Sequence, residues 1–248
     1  MDKALYIAMT GASATLRAQA NVAHNLANVD TVGFRATLSA TTAMPVTGDG
    51  LSSRVATAER VVGVSNATGA LSTTGHVLDV ALNADRWFAV QDPTGGTAYT
   101  RAGDLRVSQN GLLTTGSGLQ LLDAGGAPMA IPPNDGLEIG ADGTVSVIPQ
   151  GSPRSSMTQI GRLQVVETTT ANLTRGEDSL LRANPARPAP LPAAGAVLQT
   201  GVLESSNVDA TGALVSMIEL SRQFEMQVRV LQAGDESARS ANSLLSSR

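Results

Sequence analysis

Cysteine is absent from the 248 residues, which excludes disulfides, thiolate metal sites and thiol nucleophiles. Histidine is nearly so: His24 and His76 are the only two, far apart in sequence, and no histidine metal site can be assembled from them without several carboxylate ligands. Aromatic residues are scarce, with one Trp, two Tyr and three Phe beside 25 Gly, a composition of small-residue packing and many turns rather than of an aromatic enzyme core. Basic charge is also lacking. Seventeen Lys and Arg against 21 Asp and Glu leave a formal net charge of -4, so there is no basic stripe to neutralise phosphates and nucleic acid is excluded as the main partner. No run of eighteen apolar residues exists, and no membrane-spanning segment is expected.

What is present begins with periodicity at the two ends. Leu5, Met9, Ala12, Leu16, Gln19, Ala23 and Leu26 recur at steps of four and three, an apolar seam on one helix face that predicts a helix over 3–28. Leu214, Met217, Ser221, Phe224, Val228 and Leu231, extended by Ala238 and Leu245, give a second such stripe. The two seams are expected to meet. Asn28-Val29-Asp30 should stop the first helix, Gly33 permits a turn and Phe34 anchors it, while Ser205 to Asp209 offers caps for the second. Lys3, the run Ala4 to Met9 and Ala18-Gln19-Ala20 superficially resemble a secretory signal, but Arg17 beside the supposed cut and the unbroken helical period argue against cleavage.

Between the ends the pattern changes. Residues 35–74, rich in Thr, Ser, Gly and Pro, read as an extended connector with short strands such as Arg60 to Val64. From 75 to 184, short runs such as 78–82, 87–90, 98–101, 105–107, 144–148 and 162–167 alternate with turn signals about every ten residues, including Asp92 to Gly96, Asn110-Gly111 and Asp142-Gly143. That predicts an antiparallel sheet or barrel-like sandwich centred on Trp87. Four prolines from Pro185 to Pro192 predict a stiff linker within a second connector, 185–205, in which Val197 to Leu203 returns as a strand beside the first. The expected fold is therefore α+β: a discontinuous helical hairpin or coiled coil from 1–34 and 206–248, with an antiparallel β domain inserted at 75–184.

These residues resemble a known family. Asn25-Leu26-Ala27-Asn28 through Gly33-Phe34 is similar to the N-terminal signature of bacterial flagellar rod and hook proteins, and Leu203-Glu204-Ser205-Ser206-Asn207-Val208 to its C-terminal counterpart. Leu78 to Leu82, Phe88-Ala89-Val90 and Tyr99-Thr100-Arg101-Ala102-Gly103 resemble β-domain motifs of the longer members. Met1 to Tyr6 and Arg222 to Gln227 are most similar to a proximal-rod subunit, with the distal rod as the nearest rival. Two departures stand out: Val32 before the glycine, and Asp85-Arg86 where many members carry glycine. The resemblance implies a periplasmic axial subunit without cofactor or enzymatic activity, exported through the flagellar type III apparatus without a cleaved signal. Its partners would be copies of itself and other rod subunits, met through terminal helices that line a central channel.

The expected assembly residues are Leu5, Met9, Leu16, Ala23, Asn25, Leu26, Asn28, Gly33, Phe34, Asn207, Leu214, Met217, Phe224, Val228, Leu231 and Leu245. Catalytic readings are weaker, since Asp79 has no second carboxylate or nucleophile at a cooperating spacing and Gly116-Ser117-Gly118 lacks the strand-to-helix setting of a phosphate loop or nucleophile elbow. Asn66-Ala67-Thr68 and Asn172-Leu173-Thr174 match glycosylation sequons by pattern alone. A surface adhesin with a ligand-binding β domain on a helical stalk is the alternative from another class. Small or polar seam positions such as Ala12, Gln19, Ser221 and Asp235 lead us to expect that the helices are mobile in the monomer and completed only by neighbouring subunits.

Overall fold

The computed structural model describes residues 2–46, 55–83, 85–176 and 178–246, with helix side chains from residue 5 to 240 apart from Ala238. It divides into two compact units, 1–27 with 37–62 and 209–248, and 28–36 with 63–208. The expected boundaries are shifted. The turn after the first helix belongs with the β unit, and most of the first connector belongs with the helices.

In the helical unit, α1 spans Asp2–Ala27 and α2 spans Ala210–Ser246. Alanine-rich sequence, which loses no side-chain entropy, favours α1, and the Asp209 carboxylate accepts from the Thr211 amide at 3.1 Å at the start of α2. In the sequence between the helices come β1 (Thr37–Pro45) and β2 (Val55–Val64), which pair as a two-stranded ribbon; β2 contains the short strand expected at Arg60 to Val64, while β1 was expected only as extended connector. The side chains of β1 beyond Thr37 are exposed, so pairing rather than burial holds the strand, and a connector poor in apolar alternation gave little sign of it.

The β unit opens with β3 (Leu71–Thr73), β4 (Val80–Leu82), β5 (Arg86–Gln91), β6 (Thr97–Thr100) and β7 (Leu105–Val107). It continues through β8 (Leu113–Thr115), β9 (Gln120–Leu121), β10 (Asn134–Ile139), β11 (Thr144–Pro149) and β12 (Thr158–Arg162). The last members are β13 (Val165–Glu167), β14 (Leu173–Arg175), β15 (Leu181–Ala183), β16 (Leu191–Pro192), β17 (Leu198–Thr200) and β18 (Val202–Glu204). The largest sheet runs β14-β15-β6-β5-β9-β8-β7, with β13 also pairing β5 and β16. A separate sheet runs β10-β11-β12, and the pairs β4-β17 and β3-β18 complete the set, with these pairings all antiparallel.

The apolar run of β5 is buried on both faces. Phe88 and Val90 enter the main core with Val80, Leu113, Val145, Val147 and Val197, whereas Trp87 enters a smaller cluster with Val64, Val166, Leu173 and Leu181. Trp87 is thus a core residue, its indole N–H donating to the Thr168 carbonyl at 3.0 Å, but the main core centres on Phe88 and its neighbours. The proline stretch is also more than a linker. Leu191 and Pro192 pair with Glu167 and Val166, and Pro192, lacking an amide hydrogen, suits an edge strand.

Turns are held by aspartates. The Asp92 carboxylate accepts from the Thr94 amide and hydroxyl, the Gly96 amide and both Nε and Nη2 of Arg182. The Thr94 hydroxyl foremost, then Arg182, holds Asp92 far below the ordinary carboxylate range. Thr144 does the same to Asp142, and Arg182 to Asp178, in the same direction. A carboxylate whose folded pKa is depressed stabilises above its unfolded pKa of about 4 and loses that contribution as pH falls toward the folded value. The urea midpoint should therefore fall between pH 5 and pH 2, and Asp92→Asn should flatten that fall while lowering the midpoint at pH 7. An unchanged slope in the variant would remove Asp92 from the acid response.

Candidate assembly surfaces

In the helical unit, close approaches fix how α1 meets α2. Leu5 lies so close to Gly234 that a Cβ there would stand 2.9 Å from Leu5 Cδ2, and a Cβ on Gly11 would stand 3.2 Å from Gln227 Nε2. The Thr15 hydroxyl donates to Gln227 Oε1 at 3.1 Å. Contacts that rise along α1 while falling along α2 make the pair antiparallel. The inward residues of α1 are therefore Leu5, Gly11, Ala12, Ala14 and Thr15, and the expected intrachain seam needs correction. Met9 (59% exposed), Leu16 (48%) and Ala23 do not face α2, because the small residues beside them allow closer approach. Met9 and Leu16 instead fall in a stripe of exposed positions at strict steps of three and four, Tyr6, Met9, Ser13, Leu16, Ala20, Ala23 and Ala27.

On α2, Met217, Phe224, Val228 and Leu231 are half-buried, whereas Leu214 is exposed together with Val215, Ile218, Met226 and Val230. Leu245 lies on α2, but its side chain is outside the described residues. Among the described residues of the two helices, only Ala12, Ala14 and Thr15 are buried. Leu26 is half-buried, and Asn25 grips the start of β1, donating to the Thr37 carbonyl at 2.9 Å and accepting from the Thr37 amide at 2.8 Å.

In the β unit, the turn from Asn28 to Ala36 is clasped from several sides. Thr31 N–H donates to the Asn28 carbonyl and Phe34 N–H to the Thr31 carbonyl, both at 3.2 Å, and Gly33 takes φ +66°. Gly33 N–H donates to the Glu204 carbonyl at 2.8 Å. Asn207 accepts from the Ala36 amide and donates to the Ala67 carbonyl, both at 2.7 Å, while its own amide donates to the Phe34 carbonyl. Phe34 is buried under the Arg175 guanidinium, 4.5 Å from its ring centre.

Beneath the turn lies a charged core that sequence reasoning missed. Glu204, 2% exposed, accepts at Oε2 from Arg101 Nε (2.9 Å) and Nη2 (2.6 Å), and at Oε1 from Arg35 Nη2 (2.6 Å) and the Gly69 amide (3.1 Å). Arg101 Nη2 also donates to the Leu82 carbonyl and Nη1 to that of Arg86, both at 2.7 Å. Burial first, then nearby Arg101, pushes the Arg35 guanidinium below its ordinary value. Arg101 and Glu204 both lie in stretches that resemble family motifs, but nothing in one sequence pairs residues so far apart. Asp85, a noted departure, takes φ +56°, the left-handed region that favours the glycine many relatives are expected to have there.

Family models agree with these locations. A flagella basal body rod protein model matches residues 5–35, a flagellar hook protein FlgE/F/G D1 domain model matches 81–147, and a flagellar basal body rod FlgEFG protein C-terminal model matches 199–244. The flagellar basal-body rod protein FlgF of Escherichia coli K12 is 41% identical, over 99% of this chain and 99% of the relative. The chain belongs to the FlgF family of flagellar basal-body rod proteins. FlgF of Salmonella typhimurium LT2 is 40% identical over 99% of both chains, and FlgG of Bacillus subtilis 168 is 30% identical over 87% of this chain and 88% of its own. Within this FlgF-family chain, the three model matches take in Gly33 and Arg35, Arg101, and Glu204, so the clasp draws one partner from each of them.

Proposed function

We propose that this chain is a structural, non-enzymatic axial subunit of the flagellar basal-body rod, in its proximal part, polymerising through its terminal helices around the export channel. The observation that carries the reading is the exposed stripe of α1, with Tyr6, Met9 and Leu16 on a face that α2 does not cover. Leu214, Ile218, Met226 and Val230 on α2 add further exposed apolar surface. Each such side chain gains about 1.5–3 kcal/mol when fully buried, and a heterologous contact repeated without closure builds a helical filament. Copies of this chain and other rod subunits are the partners, the helical hairpin completes as a coiled coil in that assembly, and Asn25, Asn28, Gly33, Phe34 and Asn207 serve the same assembly. Passage through the type III apparatus without signal cleavage belongs to the same reading.

The test is Met9→Glu with Leu16→Glu, expressed in a bacterium deleted for this gene. Both side chains are exposed, so the purified variant should unfold within about 0.5 kcal/mol of the wild type. Swimming should be lost and the chain should be missing from purified basal bodies. Normal incorporation of the variant would refute the assigned face.

A further inference from the structure

The β unit holds a cavity of about 440 Å³ whose lining includes Phe34, Trp87, Tyr99, Arg175, Asp178 and Leu181. Its apolar walls come from the same elements that clasp the turn. Its charged groups are not equally provided for. Arg35 and Arg101 share Glu204, and Asp178 pairs at 2.7 Å with Arg182, which lies outside the lining. Arg175 meets no carboxylate among the described residues. Its Nη1 donates to the Ser179 carbonyl at 2.9 Å and its Nη2 to the Arg35 carbonyl at 2.5 Å, while Nε is buried without a hydrogen-bond partner. Burial alone pulls the guanidinium down to about 10. Arg175 as a whole is half-buried, and its buried, unpaired Nε donor in a mostly apolar concavity marks where a ligand group fits. Tyr99 also lines the cavity, and its side chain carries a phenolic donor.

We propose that this cavity is a socket for an aspartate or glutamate side chain of a neighbouring rod subunit, with Arg175 as its counter-ion and Phe34, Trp87 and Tyr99 as its walls. The partner follows from charge: a carboxylate satisfies the free Nε–H and balances the guanidinium, and copies of this chain, at a formal net charge of -4, are themselves acidic. The inference rests on the rod reading for the identity of the neighbour. The socket's chemistry stands on the cavity alone.

Trp87, the only tryptophan, reports on the site by its fluorescence. The full-length chain is titrated with 3-phenylpropionate and, as a neutral isostere, 3-phenylpropionamide. The carboxylate should give a saturable change with a midpoint in the millimolar range, and the amide should bind at least tenfold more weakly. Arg175→Met should lose tenfold or more with an unchanged far-UV spectrum, and Tyr99→Phe a few-fold. Should Arg175→Met unfold, Arg175→Lys takes its place, keeping the charge without the planar fork and losing at least threefold. No saturable change, equal binding of the amide, or variants that bind as the wild type would overturn the socket. In cells, the Arg175 variant should be recovered in purified basal bodies at a fraction of the wild-type level. Full recovery of the variant beside recovered wild type sinks the socket alone. Absence of the wild type itself sinks the rod reading and, with it, the named partner.

Discussion

Replacing Glu204 by leucine should cost about 3–5 kcal/mol of unfolding free energy, because it strands two buried guanidinium groups at once. Arg35 and Arg101 are 4% and 2% exposed, and among the described residues Glu204 is the one carboxylate that each pairs with. The Gly69 amide would lose its acceptor as well. Both guanidinium groups would then stand without a counter-ion among the described residues. Glu204→Gln keeps the shape and an acceptor oxygen and should cost less, about 1.5–3 kcal/mol, the range for hydrogen bonds to charged groups. Urea unfolding followed by Trp87 fluorescence measures both, since the Arg101 guanidinium stands 5.6 Å from the Trp87 ring. A loss below about 1 kcal/mol for the leucine variant would show that the clasp relaxes without its carboxylate.

Gly33→Ala should destabilise the β unit by about 3 kcal/mol or more, combining backbone strain with a collision. At φ +66° any other L-residue is strained, and a Cβ at this position would lie 2.3 Å from both the carbonyl carbon and oxygen of Arg101 and 2.7 Å from the Ala102 nitrogen. All three are backbone atoms, which cannot rotate aside as a side chain would. Gly75 separates the two causes. Its φ is +74° with nothing within 4 Å of a Cβ, so Gly75→Ala should cost only the strain, about 1–2 kcal/mol. Equal losses at the two sites would mean that the close approach at Gly33 is relieved by movement of the turn.

The variants at Glu204 and Gly33 differ from those at Met9 and Leu16 in what they imply for assembly. Glu204 and Gly33 both secure the turn on the β unit, so their loss should impair rod formation through stability. Met9→Glu and Leu16→Glu should impair it with stability intact. Comparing purified monomer stability with basal-body recovery distinguishes the routes.

Much of the architecture was legible because it repeats locally. A period near 3.6 over 3–28 and beyond 209 announced two helices now seen at Asp2–Ala27 and Ala210–Ser246. Alternation and turn residues announced β4 to β7 and β11, while β8, β10, β12, β14 and β15 went unnoticed. Those strands are short, carry interruptions such as Gly136 and Gly161, or lean on polar residues as in Leu173–Arg175. Their pairing is decided by neighbours distant in sequence, and propensity has little to say about that.

The candidate surfaces divide in the same way. Met9, Leu16, Leu214 and Phe224 were recognisable as seam residues, but a repeat of three and four cannot say which of two adjacent stripes turns inward. Tertiary structure decided it: Gly11, Ala12, Ala14 and Thr15 let α2 approach, and the bulkier stripe was left outside. The sequence by itself determined the helices, the β insertion, the turn at Gly33-Phe34 and the family signatures, because each is encoded in neighbouring residues. Only the fold decided that Arg35, Arg101 and Glu204 form one buried cluster and that Arg175 meets no carboxylate among the described residues. Charge pairing across a hundred residues depends on where the backbone brings side chains together, and a linear string does not carry that distance.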